Sequence, residues 1–374
     1  MIRRAAPSCF AFGLVTCALA AGCAAPGDPS PRHPIVPVAV TDLAGRQYGN
    51  MVDLTFVLPT RSMDHEALPE MPSIEIYRAI LPPGATPDRK TEWRLVYTIP
   101  SEQVDSYLKE GHVEFRDPLA AEDLARPAGS SMAYKVRTRA AKARASEDSN
   151  VVTERIYPPP AVPRDVRVTV TESALILTWA EAVPPPGASP AGYHLYRGEV
   201  EPGQENAPQD ISQAKLKTPL QLVGPSSTND FRDSHFEFGT PYLYTVRSVA
   251  QFGSDSVESA DSAPVVITPR DVFPPVAPAG LEIAVVPVTP QAPAYVELSW
   301  AISPEADLSG YIVYRSDRED APGERISGET LPSPTFRDMS VLPGRRYFYR
   351  VSAVDRAGNE SPKSSAVEAD TPSI

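Results

Sequence analysis

All three cysteines of this 374-residue chain (Cys9, Cys17 and Cys23) fall within its first 23 residues. The rest of the sequence therefore offers no disulfide, no thiol nucleophile and no cysteine-based metal site, and whatever folds there must hold by packing alone. Histidine is also scarce. The five (His33, His65, His112, His194 and His235) include no pair at metal-ligand spacing on one element. Gly-x-Ser-x-Gly, a phosphate-binding glycine loop, His-Glu-x-x-His and Arg-Gly-Asp are all missing. Positive charge is in deficit, with 35 Lys and Arg against 47 Asp and Glu, a net charge of −12. That balance argues against nucleic acid as a partner, because affinity for a phosphate backbone rests on basic side chains that neutralise it.

Proline, by contrast, is abundant at 43 residues, and 42% of the chain is hydrophobic. Enough apolar material is present to fill cores, while the prolines interrupt helices and favour short strands joined by many turns. The length suits three modules of roughly 100 residues each.

Three landmarks recur in one order. The first is an alternating strand ending on a large aromatic: Val52-Asp53-Leu54-Thr55-Phe56, Leu175-Ile176-Leu177-Thr178-Trp179 and Val296-Glu297-Leu298-Ser299-Trp300. The second is a Tyr-Arg strand, with its tyrosines at 77, 196 and 314, which sets repeats of 119 and 118 residues. The third is Phe-Arg-Asp, beginning at 115, 231 and 336, followed by a tyrosine-containing strand. Each segment alternates apolar and polar residues, so one face is buried and the other wet.

These residues resemble the fibronectin type III family. The Trp on the second strand, the Tyr-x-Val-Tyr-Arg third strand and Leu342-Pro343-Gly344 ahead of Tyr347 carry the likeness. The resemblance implies an all-β chain of three tandem immunoglobulin-like sandwiches, each seven-stranded with Greek-key connections and held by apolar packing. It also implies that Trp179 and Trp300 are core tryptophans. Tyr242 and Tyr347, each three residues after a glycine, match the corner tyrosine whose hydroxyl bonds back to the backbone. The first repeat departs from the pattern: Phe56 stands in the Trp place, Met132 in the corner-Tyr place, and its loops are longer.

At the N-terminus, Arg3 and Arg4 precede a mostly apolar run from Phe10 to Ala21, the length of a secretion signal and too short to span a bilayer. It ends Leu19-Ala20-Ala21-Gly22-Cys23, which resembles the lipobox of bacterial lipoproteins, although Leu sits one place further back than the family's usual position. The resemblance implies cleavage after Gly22 and lipid on Cys23. An ordinary secretory cut leaving a free thiol is the alternative, and an orphan thiol in an oxidising compartment would be a liability. Ala24 rather than Asp after the Cys implies the outer membrane within that family. The expected organisation is a signal peptide over 1–22, a lipidated Cys and Pro-rich tether over 23–34, and sandwiches over 35–158, 159–272 and 273–374. The proline runs at 158–160 and 274–275 act as stiff connectors.

Candidates for chemistry are few. Asp64-His65-Glu66 reads as a polar loop tip, since adjacent residues rarely converge on one point. The segment from Asp355 to Ser361 offers oxygen ligands but lacks the alternating acids of a dedicated calcium loop, and reads as a turn. His194 alternates with Tyr193 and Leu195 and is expected on the wet face. Lys135, Arg137 and Arg139 alternate along one strand and form a basic stripe, continued by Lys142 and Arg144. That stripe suits either an anionic partner or a charged face that resists aggregation. Trp93 and Phe252 lie outside the landmarks, as ligand anchors or as covers over a core end. No metal, cofactor or catalytic set is indicated. The expected function is a non-catalytic, membrane-anchored envelope protein that binds an envelope protein or polysaccharide, or serves as a spacer; the alternatives are a purely structural assembly component of an envelope complex and, last, an enzyme using the loop-rich first domain around Asp64, His65 and Glu66.

Overall fold

The computed structural model describes residues 35–373, apart from 128, 141–143, 202, 204–210 and 291. The signal segment, Cys23, the tether and Lys142 lie outside the described residues. The first repeat contains β1 (Ala44–Tyr48), β2 (Met51–Val57), β3 (Ser73–Leu81), β4 (Arg94–Ile99), β5 (Leu108–Lys109), β6 (His112–Pro118), β7 (Ser131–Arg139) and β8 (Val152–Arg155). The second contains β9 (Arg164–Val170), β10 (Leu175–Ala180), β11 (Ser189–Glu199), β12 (Gln221–Ser226), β13 (Asp230–Asp233), β14 (Tyr242–Phe252), β15 (Asp255–Glu258) and β16 (Val265–Ile267). The third contains β17 (Glu282–Val286), β18 (Tyr295–Ser299), β19 (Leu308–Ser316), β20 (Glu324–Arg325), β21 (Thr335–Asp338), β22 (Arg346–Asp355) and β23 (Val367–Asp370). Short helical turns at Ser101–Tyr107 and Ala121–Leu124 complete a chain that is otherwise all β.

Each repeat sets two sheets face to face. One contains the Tyr-Arg strand and its partner: β4-β3-β7-β8, then β12-β11-β14 with β15 and β16, then β20-β19-β22-β23. The other takes β1-β2-β6-β5, and in the second and third repeats is smaller, β9-β10-β13 and β17-β18-β21; β15 also pairs with β1, Glu258 opposite Tyr48. The long antiparallel pairings join the landmarks themselves, with Tyr196 opposite Thr245 and Tyr314 opposite Arg350. The period-two alternation explains the burial. Val52, Leu54 and Phe56 are buried on β2 while Asp53 and Thr55 are not, and Leu175, Leu177 and Trp179 repeat this on β10.

By packing, the chain divides into two compact units. Among the described residues, one takes 35–45 with 53–116 and 130–154; the other takes 46–52, 117–129 and 155–373. In the first unit, Phe56 and Met132 fill core positions at 1% and 0% exposure. The first repeat thus keeps apolar volume where the other repeats have Trp and the corner Tyr. In the second unit, Trp179 packs edge-on against Tyr193 and Trp300 against Tyr311, both at 5.2 Å between ring centroids. The corner tyrosines accept backbone N–H bonds, Tyr242 from Glu237 at 3.0 Å and Tyr347 from Leu342 at 3.1 Å.

The Phe-Arg-Asp motif has a structural explanation. Its aspartate is buried between the sheets, and the Arg of the Tyr-Arg strand and a core Tyr both bind it. Arg197 and Tyr244 each reach Asp233 Oδ2 at 2.7 Å, while Arg315 and Tyr349 reach Asp338 Oδ2 at 2.7 and 2.8 Å. A buried carboxylate is tolerable only when paired and hydrogen-bonded in this way. Among the described residues, no helix is long and apolar enough to cross a membrane.

Candidate interaction surfaces

In the first unit the basic stripe lies on the outer face of β3 and β7, and carboxylates bind all three of its cations. Lys135 Nζ is 2.9 Å from Asp148 Oδ2, and Arg137 Nε is 2.5 Å from Asp148 Oδ1. Arg139 donates twice to Glu75 Oε1, at 3.0 and 2.9 Å. Burial raises the Asp148 carboxyl pKa, but hydrogen bonds from Arg137 and Lys135 outweigh it, and the group stays below its ordinary value. Lys135 is only 9% exposed and sits 4.4 Å from the centre of the Trp93 ring. Trp93, with Ala85, covers Ala79, Leu81 and Ala133. The stripe is thus a set of ion pairs and cation–π contacts, with Trp93 as the lid of a small apolar cluster.

Asp64, His65 and Glu66 are exposed at the tip of a tight turn, closed by the Ser62 N–H donating to the Glu66 carbonyl at 2.8 Å. His65 takes the left-handed conformation there, with φ of 64°.

In the second unit, Glu258 is the hub of a buried network. His194 Nδ1 lies 2.5 Å from its Oε1, Tyr196 donates to its Oε2 at 3.0 Å, Arg247 donates at 3.0 Å, and Arg46 also pairs with it. The peptide after Tyr48 adds a backbone bond, the Gly49 N–H donating to the Glu258 carbonyl at 2.7 Å. Burial alone would raise the Glu258 pKa. The His194 hydrogen bond and the Arg46 and Arg247 charges outweigh that and hold it down at about 2. His194 is on the wet face of β11, as alternation requires, yet Glu258 half-covers it. Phe252 stacks on Tyr157 at 4.4 Å and 17°, and Tyr157 donates to Asp255 at 2.6 Å. Like Trp93, Phe252 is committed to a neighbour.

At the turn that follows β22, carboxylate oxygens of Asp271, Asp307 and Asp355 lie within 4.8 Å of one another. Both Asp355 oxygens already accept from Asn359, at 2.8 Å each. The turn read from the sequence is therefore stabilised by its own asparagine.

Two concavities among this unit's described residues bear on its surface chemistry. One, of about 610 Å³, runs over the outer face of the β17-β18-β21 sheet along residues 282–284, 297–299 and 335–337. The other, of about 320 Å³, is walled by Pro160, Pro184, Pro190 and Tyr193 at one end of the second repeat. Sequence reasoning found neither Glu258 nor the larger groove. Glu258 draws its partners from positions as far apart as 46 and 247. The groove depends on small residues sharing a sheet face.

The geometry is that of tandem fibronectin type III-like sandwiches. No protein-family model matches the chain. It is similar to Exoglucanase B of Cellulomonas fimi, with 29% identity over 258 residues, 65% of this chain and 20% of that protein. It is also similar to Amylopullulanase of Thermoanaerobacterium saccharolyticum, with 44% identity over 69 residues, 18% of this chain and 5% of that protein. The chain thus spans about a fifth or less of the length of these relatives. Among solved structures, the crystal structure of chicken CNTN1 FN1-FN3 domains aligns over 90% of this chain and 99% of that one, with 16% identity and a TM-score of 0.26.

Proposed function

We propose that this protein is a lipid-anchored component of the bacterial cell envelope whose sandwiches bind a polysaccharide without altering it. The observation that carries the reading is the pattern of similarity: stretches of this chain match small parts of proteins named for their action on glucan and pullulan. The interior supports a non-catalytic role. In the second and third repeats the residues with most chemical capacity (Arg197, Asp233, Arg315 and Asp338) bind one another to join the sheets. The anchor rests on Leu19-Ala20-Ala21-Gly22-Cys23. Two acyl chains on Cys23 would supply stable attachment where one would not.

Two measurements test this reading. Protein recovered from membranes should have the intact mass of a chain beginning at Cys23 with two or three acyl groups, and Cys23→Ser should move it to the soluble fraction. An unmodified mass in the soluble fraction refutes the anchor. Co-sedimentation with insoluble glucan should deplete the protein from the supernatant, and no depletion with any envelope or plant polysaccharide refutes the binding role.

A further inference from the structure

The strand beside the Tyr-Arg strand ends a sheet in all three repeats, and the repeats treat that edge differently. Among the described residues, β4, β12 and β20 each pair with one strand alone, β3, β11 and β19 respectively. β20 is two residues long, Glu324 and Arg325, both charged and exposed. β12 and β4 have six residues each and break register at the same point, skipping Val223 and Val96, so they align one to one. Gln221-Leu222-Val223-Gly224-Pro225-Ser226 stands against Arg94-Leu95-Val96-Tyr97-Thr98-Ile99. The third repeat shortens and charges its edge, and the second breaks its own with glycine and proline; both devices discourage pairing with another strand. The first repeat does neither. Its edge continues through Tyr97, Thr98 and Ile99, all good strand formers, and Leu95 and Tyr97 are 53% and 40% exposed.

Proline is accommodated at 225 because that nitrogen faces away from β11. Thr98 holds the same place in β4, so its N–H and C=O face away from β3, and among the described residues neither has a partner there. Charge along this edge is asymmetric. Arg89, Lys90 and Arg94 outnumber Asp88 and Glu92 on its N-terminal side, while Glu102 and Asp105 follow it. Arg94 stands in register beside Arg78 of β3, a like-charge neighbour that an opposing carboxylate would offset. Neither Arg94 nor Glu102 has an ion pair among the described residues, and they lie four positions either side of Thr98. An antiparallel strand of the same sequence supplies what the edge lacks. A second Thr98 can exchange N–H···O=C bonds with the first, and each Arg94 is then directed toward the other copy's Glu102. A parallel copy would set like charge against like.

We infer that β4 is a self-docking edge, through which two copies of this chain pair antiparallel about Thr98 and join their β4-β3-β7-β8 sheets. The pairing is two-fold symmetric, so it closes as a dimer and does not propagate.

The test is disulfide trapping with a mild oxidant in cells that make the full chain, with the unaltered chain as the baseline for bridges through its N-terminal cysteines. Opposed Cα atoms of such a hydrogen-bonded pair lie about 5.5 Å apart, within reach of a disulfide. Thr98→Cys should therefore give a product of twice the chain's mass, well above baseline, while Leu222→Cys on the equivalent edge of the second repeat should not. In the Thr98→Cys chain, Arg94→Glu and Glu102→Arg should each reduce that product about fivefold, and the two together should restore it. All four side chains are exposed, and matching thermal melts establish that each variant is folded. A Thr98→Cys chain that stays at baseline overturns the inference, as does an equal product from Leu222→Cys. So do single charge reversals without effect, a double reversal that fails to restore the product, or a product that joins this chain to a different protein.

Discussion

The second and third repeats agree inside and differ outside. Their buried triads are nearly superimposable in distance: Arg to Asp is 2.7 Å in both, and Tyr to Asp is 2.7 Å in one and 2.8 Å in the other. On the outer face of the larger sheet, Glu258 and Glu360 hold equivalent places, each opposite a valine of the neighbouring strand and each followed by a serine whose hydroxyl accepts a backbone N–H of that strand, Ser259 from Ser248 and Ser361 from Ala353. Glu258 is buried under His194, Arg247 and Arg46, while Glu360 is exposed and holds Tyr314 and Ser352. The interior repeats because two sheets must be joined in one geometry. The outer face is under no such constraint, so function has room to vary there.

Removing the carboxylate from a triad should have the largest effect. Asp338→Ala strands Arg315 and Tyr349 in the core and should cost about 3–5 kcal/mol, read by denaturant unfolding; Asp233→Ala should match it. A loss below about 1 kcal/mol in either would mean that the two triads are not equivalent in energy.

Next comes the contrast between the glutamates. Glu258 has a folded pKa of about 2 against 4.5 in the unfolded chain. Its contribution is therefore fully present above about pH 4.5 and is lost as pH falls toward 2. The shift corresponds to about 3 kcal/mol. Glu258→Gln should remove most of that at pH 7 and flatten the acid limb of the stability curve. Glu360→Gln should change stability by no more than about 0.5 kcal/mol. Equal effects would erase the distinction between the faces.

Smaller than the losses at the triads and at Glu258 are those at the corners. Tyr242→Phe and Tyr347→Phe each remove one acceptor from a backbone N–H, and each should lower stability by about 1 kcal/mol. Thermal melts that separate the two by more than that would show that the corners are not interchangeable.

Much of the architecture was legible because it is written locally. Alternation along residues 175–179 and 296–300 marks one buried face each, and the spacing of Phe-Arg-Asp from its tyrosines marks the repeat. What Arg197 and Arg315 do was not legible, since their partners lie 36 and 23 residues away. The same holds for the basic stripe. Lys135, Arg137 and Arg139 read as free cations until folding brings Asp148 from 13 residues downstream and Glu75 from 64 upstream. The groove is written only as small side chains on three separate strands, a pattern without a period.

Two glycines mark a difference among the repeats. Gly192 and Gly310 sit at register shifts in β11 and β19, and a Cβ at either would meet a carbonyl oxygen at 2.3 or 2.4 Å. No other residue fits while that bulge persists. In the first repeat Ser73 occupies the same place and pairs with Arg139 in unbroken register. Substitution at that position is therefore closed in the second and third repeats and open in the first, so the same point of the sandwich tolerates a side chain only where the two strands pair without a break.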